Sequence, residues 1–173
     1  MSDTDELDIV FGASSAIGGA LIQRWQRQGR RPILAVTRSA NSISDIGDLN
    51  RVQVETSDYT EADLSALAAR LMSAQTNVTR LVVCNGVLQG AGYRPERALA
   101  QIDSAAMNEV FEVNTFLPMR VLSAMAPLLK TSAAPIVAAL SARVGSLGDN
   151  RRGGWYSYRS SKAALNMMLQ CLA

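Results

Sequence analysis

Short apolar runs recur along this chain, separated by turns and by stretches of helical period, and that alternation restricts the fold more than any other feature. Leu7 to Phe11 is an apolar strand that ends at a glycine turn, GASSAIG, from Gly12 to Gly18. Ile17 to Gln28 reads as a helix, with Ile17, Leu21 and Trp25 spaced along one face and Gly29 placed to close it in a left-handed conformation. PILAVT (Pro32–Thr37) is a continuous apolar run, as expected of a strand buried on both faces. Arg51 to Glu55 reads as a third strand, with Val52 and Val54 on one face. Glu61 to Met72 reads as a helix with Leu64, Leu67, Ala68 and Leu71 inward, and RLVVC (Arg80–Cys84) as a fourth strand cut by Asn85 and Gly86. Ser104 to Leu129 has the period of one long helix, with Pro118 marking a kink or a junction. PIVAAL (Pro135–Leu140) is a fifth strand, and a final helix starts near Ser157.

Strands alternating with helices predict an α/β fold with a doubly wound parallel sheet, organised as a single domain over residues 1–173. Ligands of such sheets bind beyond the carboxyl ends of the strands. The glycine turn, Asn85-Gly86, Ser141 and the helix bearing Tyr158 all follow strand ends, so they are expected to converge.

Composition excludes several chemistries. The chain has no histidine, which removes a Ser-His-Asp triad and histidine-bound metals. Cys84 and Cys171 lie too far apart for a metal or redox spacing, so no metal site is expected. A net charge of +2 is too small to argue for nucleic acid or an anionic membrane as partner. The first residues, MSDTDELD, are acidic, and no apolar run reaches the roughly 20 residues of a membrane span. The expectation is a soluble cytoplasmic protein.

Two local patterns carry chemistry. Gly12 and Gly18 allow a tight turn and close approach of backbone to a pyrophosphate, with Ser14 and Ser15 inside the turn. The N–H groups around Ile17 and Gly18, at the start of the helix, are expected to donate to phosphate oxygens. Arg38 follows the second strand, where a dinucleotide's adenosine ribose is met; an arginine there suits a 2′-phosphate. The second pattern is YSYRSSKAALN, which sets Tyr158 and Lys162 four apart on one helix face. An ammonium near a phenol favours the phenolate and makes the tyrosine a better proton donor and acceptor near neutral pH. Lysine is otherwise used here only at Lys130, so its retention at 162 is informative. Asn114 is a polar amide among apolar helix residues, either a core amide bonded to nearby backbone or a relay facing a site.

The segments GASSAIGGAL, VVCNGVL, FEVNTFLPM, LSARVGS and GGWYSYRSSKAALN resemble, in order and spacing, the short-chain dehydrogenases/reductases over nearly the whole chain. They look most like the branch that includes C-factor developmental signalling proteins and sniffer-type carbonyl reductases. The resemblance implies a Rossmann-like sheet and hydride transfer between a nicotinamide cofactor, NADP(H) by preference with NAD(H) possible, and a small carbonyl or alcohol. It implies Tyr158 as proton donor or base, Lys162 bonding the nicotinamide ribose, and Asn114 holding a water that links Lys162 to solvent. Asn85 and Gly86 would line the cofactor cleft, and Glu55 or Thr56 would lie near the adenine. The family's catalytic serine position falls on Ala142; Ser141 and Ser146 are the neighbouring substitutes. Family members usually continue past the helix bearing Tyr158 with two further strands, so the chain reads as truncated there. A homo-oligomer, dimer or tetramer, is implied. Ala142 and the early end leave a second reading open, a cofactor-binding regulatory or signalling protein with little turnover.

Overall fold

A computed structural model describes residues 6–29, 31–40 and 51–172. It has five strands, β1 (Glu6–Phe11), β2 (Ile33–Thr37), β3 (Val52–Thr56), β4 (Asn77–Val83) and β5 (Ile136–Ala139). The helices are α1 (Ala16–Gln28), α2 (Glu61–Ser73), α3 (Ser104–Phe111), α4 (Leu117–Thr131) and α5 (Tyr156–Leu172). The chain divides into two compact units: Met1–Cys84 with Arg120–Ala139, and Asn85–Met119 with Leu140–Ala173.

All five strands belong to the first unit and pair in parallel in the order β3-β2-β1-β4-β5. The order reverses at β1, between β2 and β4, which is the switch point of a doubly wound sheet. The alternation read from the sequence therefore holds. β2 is buried at every position, as its unbroken apolar run predicts. Ile9, Val10 and Phe11 of β1 are also fully buried. β1 carries one charge into this interior, Asp8, which is fully buried. Arg80 of β4 pairs with it through two of its nitrogens, Nε to Oδ1 at 2.8 Å and Nη2 to Oδ2, and its guanidinium also stacks 3.9 Å from the Trp25 ring centroid.

Three local expectations change. Gly29 closes α1 in an extended conformation, φ −129°, and not a left-handed one. The buried stripe of α1 is Gly18, Ile22 and Trp25, while Ile17 is 60% exposed. The predicted long helix is broken into α3 and α4 by a wider turn, Glu112–Phe116, closed by hydrogen bonds one residue longer than α-helical ones. The inner stripe of α2 is the predicted one, Leu64, Leu67, Ala68 and Leu71.

At the sheet edge, Ile136 and Val137 of β5 stay exposed. Among the described residues no helix is long and apolar enough to cross a membrane, and no cluster of side chains could hold a metal ion.

Candidate active site

In the first unit, the turn after β1 is drawn tight by glycine. Gly12 takes φ +74°, where a side chain is strained. A Cβ on Gly18 would lie 2.5 Å from the Gly12 carbonyl oxygen, a distance that no side chain tolerates. Ser15 caps α1, its Oγ accepting from the Gly18 N–H at 3.0 Å. The Gly18 amide is thus engaged within the protein, contrary to the expectation from sequence. Helix geometry leaves the amides of Ala16 and Ile17, in the first turn, without intrahelical acceptors. Ser14 is exposed in the turn.

A residue that sequence reasoning missed holds this turn. Tyr59 is 2% exposed and adopts φ +60°. Its hydroxyl donates to the Val36 carbonyl at 3.0 Å and accepts from the Gly12 N–H at 3.2 Å. Arg38 is exposed immediately beyond β2. Thr37 and Thr56 are register partners at the ends of β2 and β3, and Thr56 is exposed. Glu55 ion-pairs with Arg70 of α2 at 2.8 Å.

In the second unit, α5 presents Tyr158 half-buried and Lys162 only 3% exposed. The Lys162 ammonium donates to the Leu140 carbonyl at 2.8 Å. Burial pushes its pKa down from 10.5 to about 8, because the charged form loses water. The backbone supports this placement closely: a Cβ on Gly145 would come within 2.9 Å of Lys162 Cβ and carbonyl carbon. Gly86 faces both other groups, since a Cβ there would sit 3.5 Å from Lys162 Nζ and 3.5 Å from Asn114 Oδ1.

Asn114 lies in the wide turn and is fully buried. Its amide grips the Val87 backbone, accepting from N–H and donating to C=O at 2.8 Å each, and Nδ2 also reaches Ser161 Oγ at 3.1 Å. The Asn85 Oδ1 atom is buried with no hydrogen-bond partner. Ser141 is exposed and its hydroxyl donates to Asn166 Oδ1 on α5, one helical turn past Lys162. Ser146 is exposed as well. The ring of Tyr158 meets Trp155 edge-on, centroids 6.3 Å apart. Structure therefore gathers Lys162, Gly86 and Asn114, and ties Ser141 to the same helix through Asn166.

Residues 7–173 match the sequence model of the family described as short chain dehydrogenase. The chain belongs to the short-chain dehydrogenase family. It is 32% identical over 160 residues to 1-hydroxy-2-glutathionyl-2-methyl-3-butene dehydrogenase of Rhodococcus sp. (strain AD45), covering 92% of this chain and 66% of that protein. It is 46% identical over 76 residues to C-signal of Myxococcus xanthus, covering 44% of this chain and 46% of that protein. The chain thus spans 66% and 46% of the length of these two relatives. Among solved structures it resembles one from Burkholderia multivorans described as a short-chain dehydrogenase/reductase with bound NADP, with a TM-score of 0.81 at 24% identity, covering 98% of this chain and 72% of that one. The carbonyl reductase Sniffer of D. melanogaster gives a TM-score of 0.83 at 19% identity, covering 98% of this chain and 74% of that one. At such identities these structures support the fold alone.

Proposed function

We propose that this short-chain dehydrogenase is an oxidoreductase that moves a hydride between nicotinamide and a small carbonyl or alcohol, with NADP(H) preferred. The observation that carries the reading is Lys162, a cation withdrawn from water one helical turn from a tyrosine. A chain seeking only stability would not bury an ammonium against a single carbonyl, because desolvation outweighs one hydrogen bond.

The residues present fit a dinucleotide. The turn holds Gly12 at a positive φ and leaves no room for a Cβ at Gly18, and the amides of Ala16 and Ile17 would serve a phosphate. Asn85 Oδ1 lacks a partner within the protein, and Gly86 exposes backbone beside Lys162. Arg38 would pair with a 2′-phosphate, and Thr56 is accessible near it at the end of β3. When bound, the nicotinamide supplies or accepts the hydride. In reduction, the Tyr158 hydroxyl gives its proton to the carbonyl oxygen, and in oxidation the phenolate takes it back. Lys162 stabilises the phenolate and bonds the cofactor ribose. Asn114 fixes the Val87 backbone and, through a water, would connect Lys162 to solvent. Ser141, whose hydroxyl is tied to α5 through Asn166, would orient the substrate in place of a serine at 142, with Ser146 the other exposed hydroxyl nearby. The same reading takes the protein as a cytoplasmic homo-oligomer.

Similarity to C-signal favours a second reading, a regulatory protein that binds the cofactor with little turnover. Incubation with NADPH and a panel of aldehydes, ketones and quinones separates the two. We expect oxidation of NADPH that Tyr158→Phe reduces by about a hundredfold or more. NADPH binding without turnover would select the second reading, and turnover intact in Tyr158→Phe would remove the mechanism. Arg38→Ala should bring the affinities for NADPH and NADH together.

A further inference from the structure

The second unit contains an open cavity of about 630 Å³, within the size range of small-molecule sites. Tyr93, Arg94 and Arg97, from the connection between β4 and α3, line one part of it, and Trp155 lines another. Trp155 is also the ring that meets Tyr158 edge-on, so one side chain touches both the cavity and the proposed proton donor. The aromatic surface is held in place. Tyr93 donates its hydroxyl to Glu109 at 3.0 Å, and Gly90 lies so close that a Cβ there would come within 2.4 Å of the Tyr93 ring.

The charges around the cavity are unequally committed. Its two acids, Glu96 and Asp103, are occupied by helix ends. The Glu96 carboxylate is buried and accepts from the Ser157 N–H at 3.3 Å and from the Ser157 hydroxyl. Asp103 accepts from the Ala106 N–H at 2.8 Å. The two arginines have no such engagement. Arg94 reaches Gln89 Oε1 only at 3.5 Å, and the ion pairs among the described residues include neither Arg94 nor Arg97. Two guanidinium groups without acid partners, beside aromatic walls, form a receptor for a flat molecule with an anionic end.

We propose that this cavity receives carbonyl substrates that carry a carboxylate, with Arg94 and Arg97 as the specificity-determining residues. The inference rests on the hydride-transfer reading and names its substrate class. Both arginines are exposed, so water and salt screen them, and the expected preference is about tenfold.

The test compares 4-carboxybenzaldehyde with benzaldehyde, each reduced with NADPH. The unmodified chain should favour the carboxylated aldehyde about tenfold in kcat/KM, mainly through KM, and less at high salt. In the double variant Arg94→Gln/Arg97→Gln that ratio should fall to about one. A ratio near one in the unmodified chain, or a preference that survives in the variant, overturns the proposal. Calorimetry with benzoate and benzamide reads the cavity without turnover. Benzoate should bind more tightly than benzamide, and the difference should vanish in the double variant. If no aldehyde is reduced but this binding difference is found, hydride transfer fails while the anion site stands. If benzoate shows no advantage, the anion site fails whatever the turnover.

Discussion

Lys162 is withdrawn from water in the fold, whereas an unfolded chain would leave its ammonium hydrated. Its pKa of about 8 in the fold, against 10.5 when exposed, has a defined sign in stability. Between those values the native chain has released the proton and the unfolded chain still holds it, so stability rises with pH across that window. Below pH 8 both states are protonated, and the burial penalty, on the order of 3 kcal/mol, is present in full. Denaturant unfolding of the unmodified chain and of Lys162→Met should therefore converge as pH rises from 7 to 10. A stability difference independent of pH would mean that Lys162 ionises as an exposed lysine does. Lys162 was legible in the sequence because lysine is scarce and lies four residues from a tyrosine. Tyr59 was not. It lies in a short polar stretch, 47 residues from Gly12, and no periodicity connects a left-handed tyrosine to the turn it supports.

At the scale of elements, the entry to α5 is built from three successive left-handed residues, Gly153, Gly154 and Trp155. Trp155 pays a steric cost there that the two glycines do not. Glu96 fixes the turn from both ends of its residue: its carbonyl accepts from the Trp155 N–H at 2.6 Å and its carboxylate from Ser157. Glu96→Ala should strand the buried Ser157 donors and lower the unfolding free energy by about 2 kcal/mol. Glu96→Gln, which keeps an acceptor, should lose less than half of that, and equal losses would show that the carboxyl group is not a cap. β2 was readable because burial on both faces leaves no polar position from Ile33 to Val36. The wide turn at Glu112–Phe116 was not, since one inserted residue hardly alters the apolar period of a long helix. Pro118 gave the only hint, two residues beyond the break, where α4 has just begun. The apolar period sets Ile17 with Leu21 and Trp25, and Gly18, lacking a side chain, gives no apolar signal for the face that it buries.

At the scale of the whole molecule, one edge of the described sheet is β5. β5 pairs with β4 on one side only and leaves Ile136 and Val137 in solvent. An edge of this kind templates pairing with another strand. The 173-residue chain should therefore self-associate with rising concentration, and Ile136→Lys/Val137→Lys should suppress the effect in size-exclusion or light-scattering measurements. Association unaffected by both lysines would place the contact elsewhere. The division into units has a consequence for biosynthesis. Met1–Cys84 belongs with Arg120–Ala139, so β5 must leave the ribosome before the five described strands can all pair. The chain leaves one body, builds part of the other, returns, and departs again. Neither body is a cassette that could be excised or transplanted as one uninterrupted stretch.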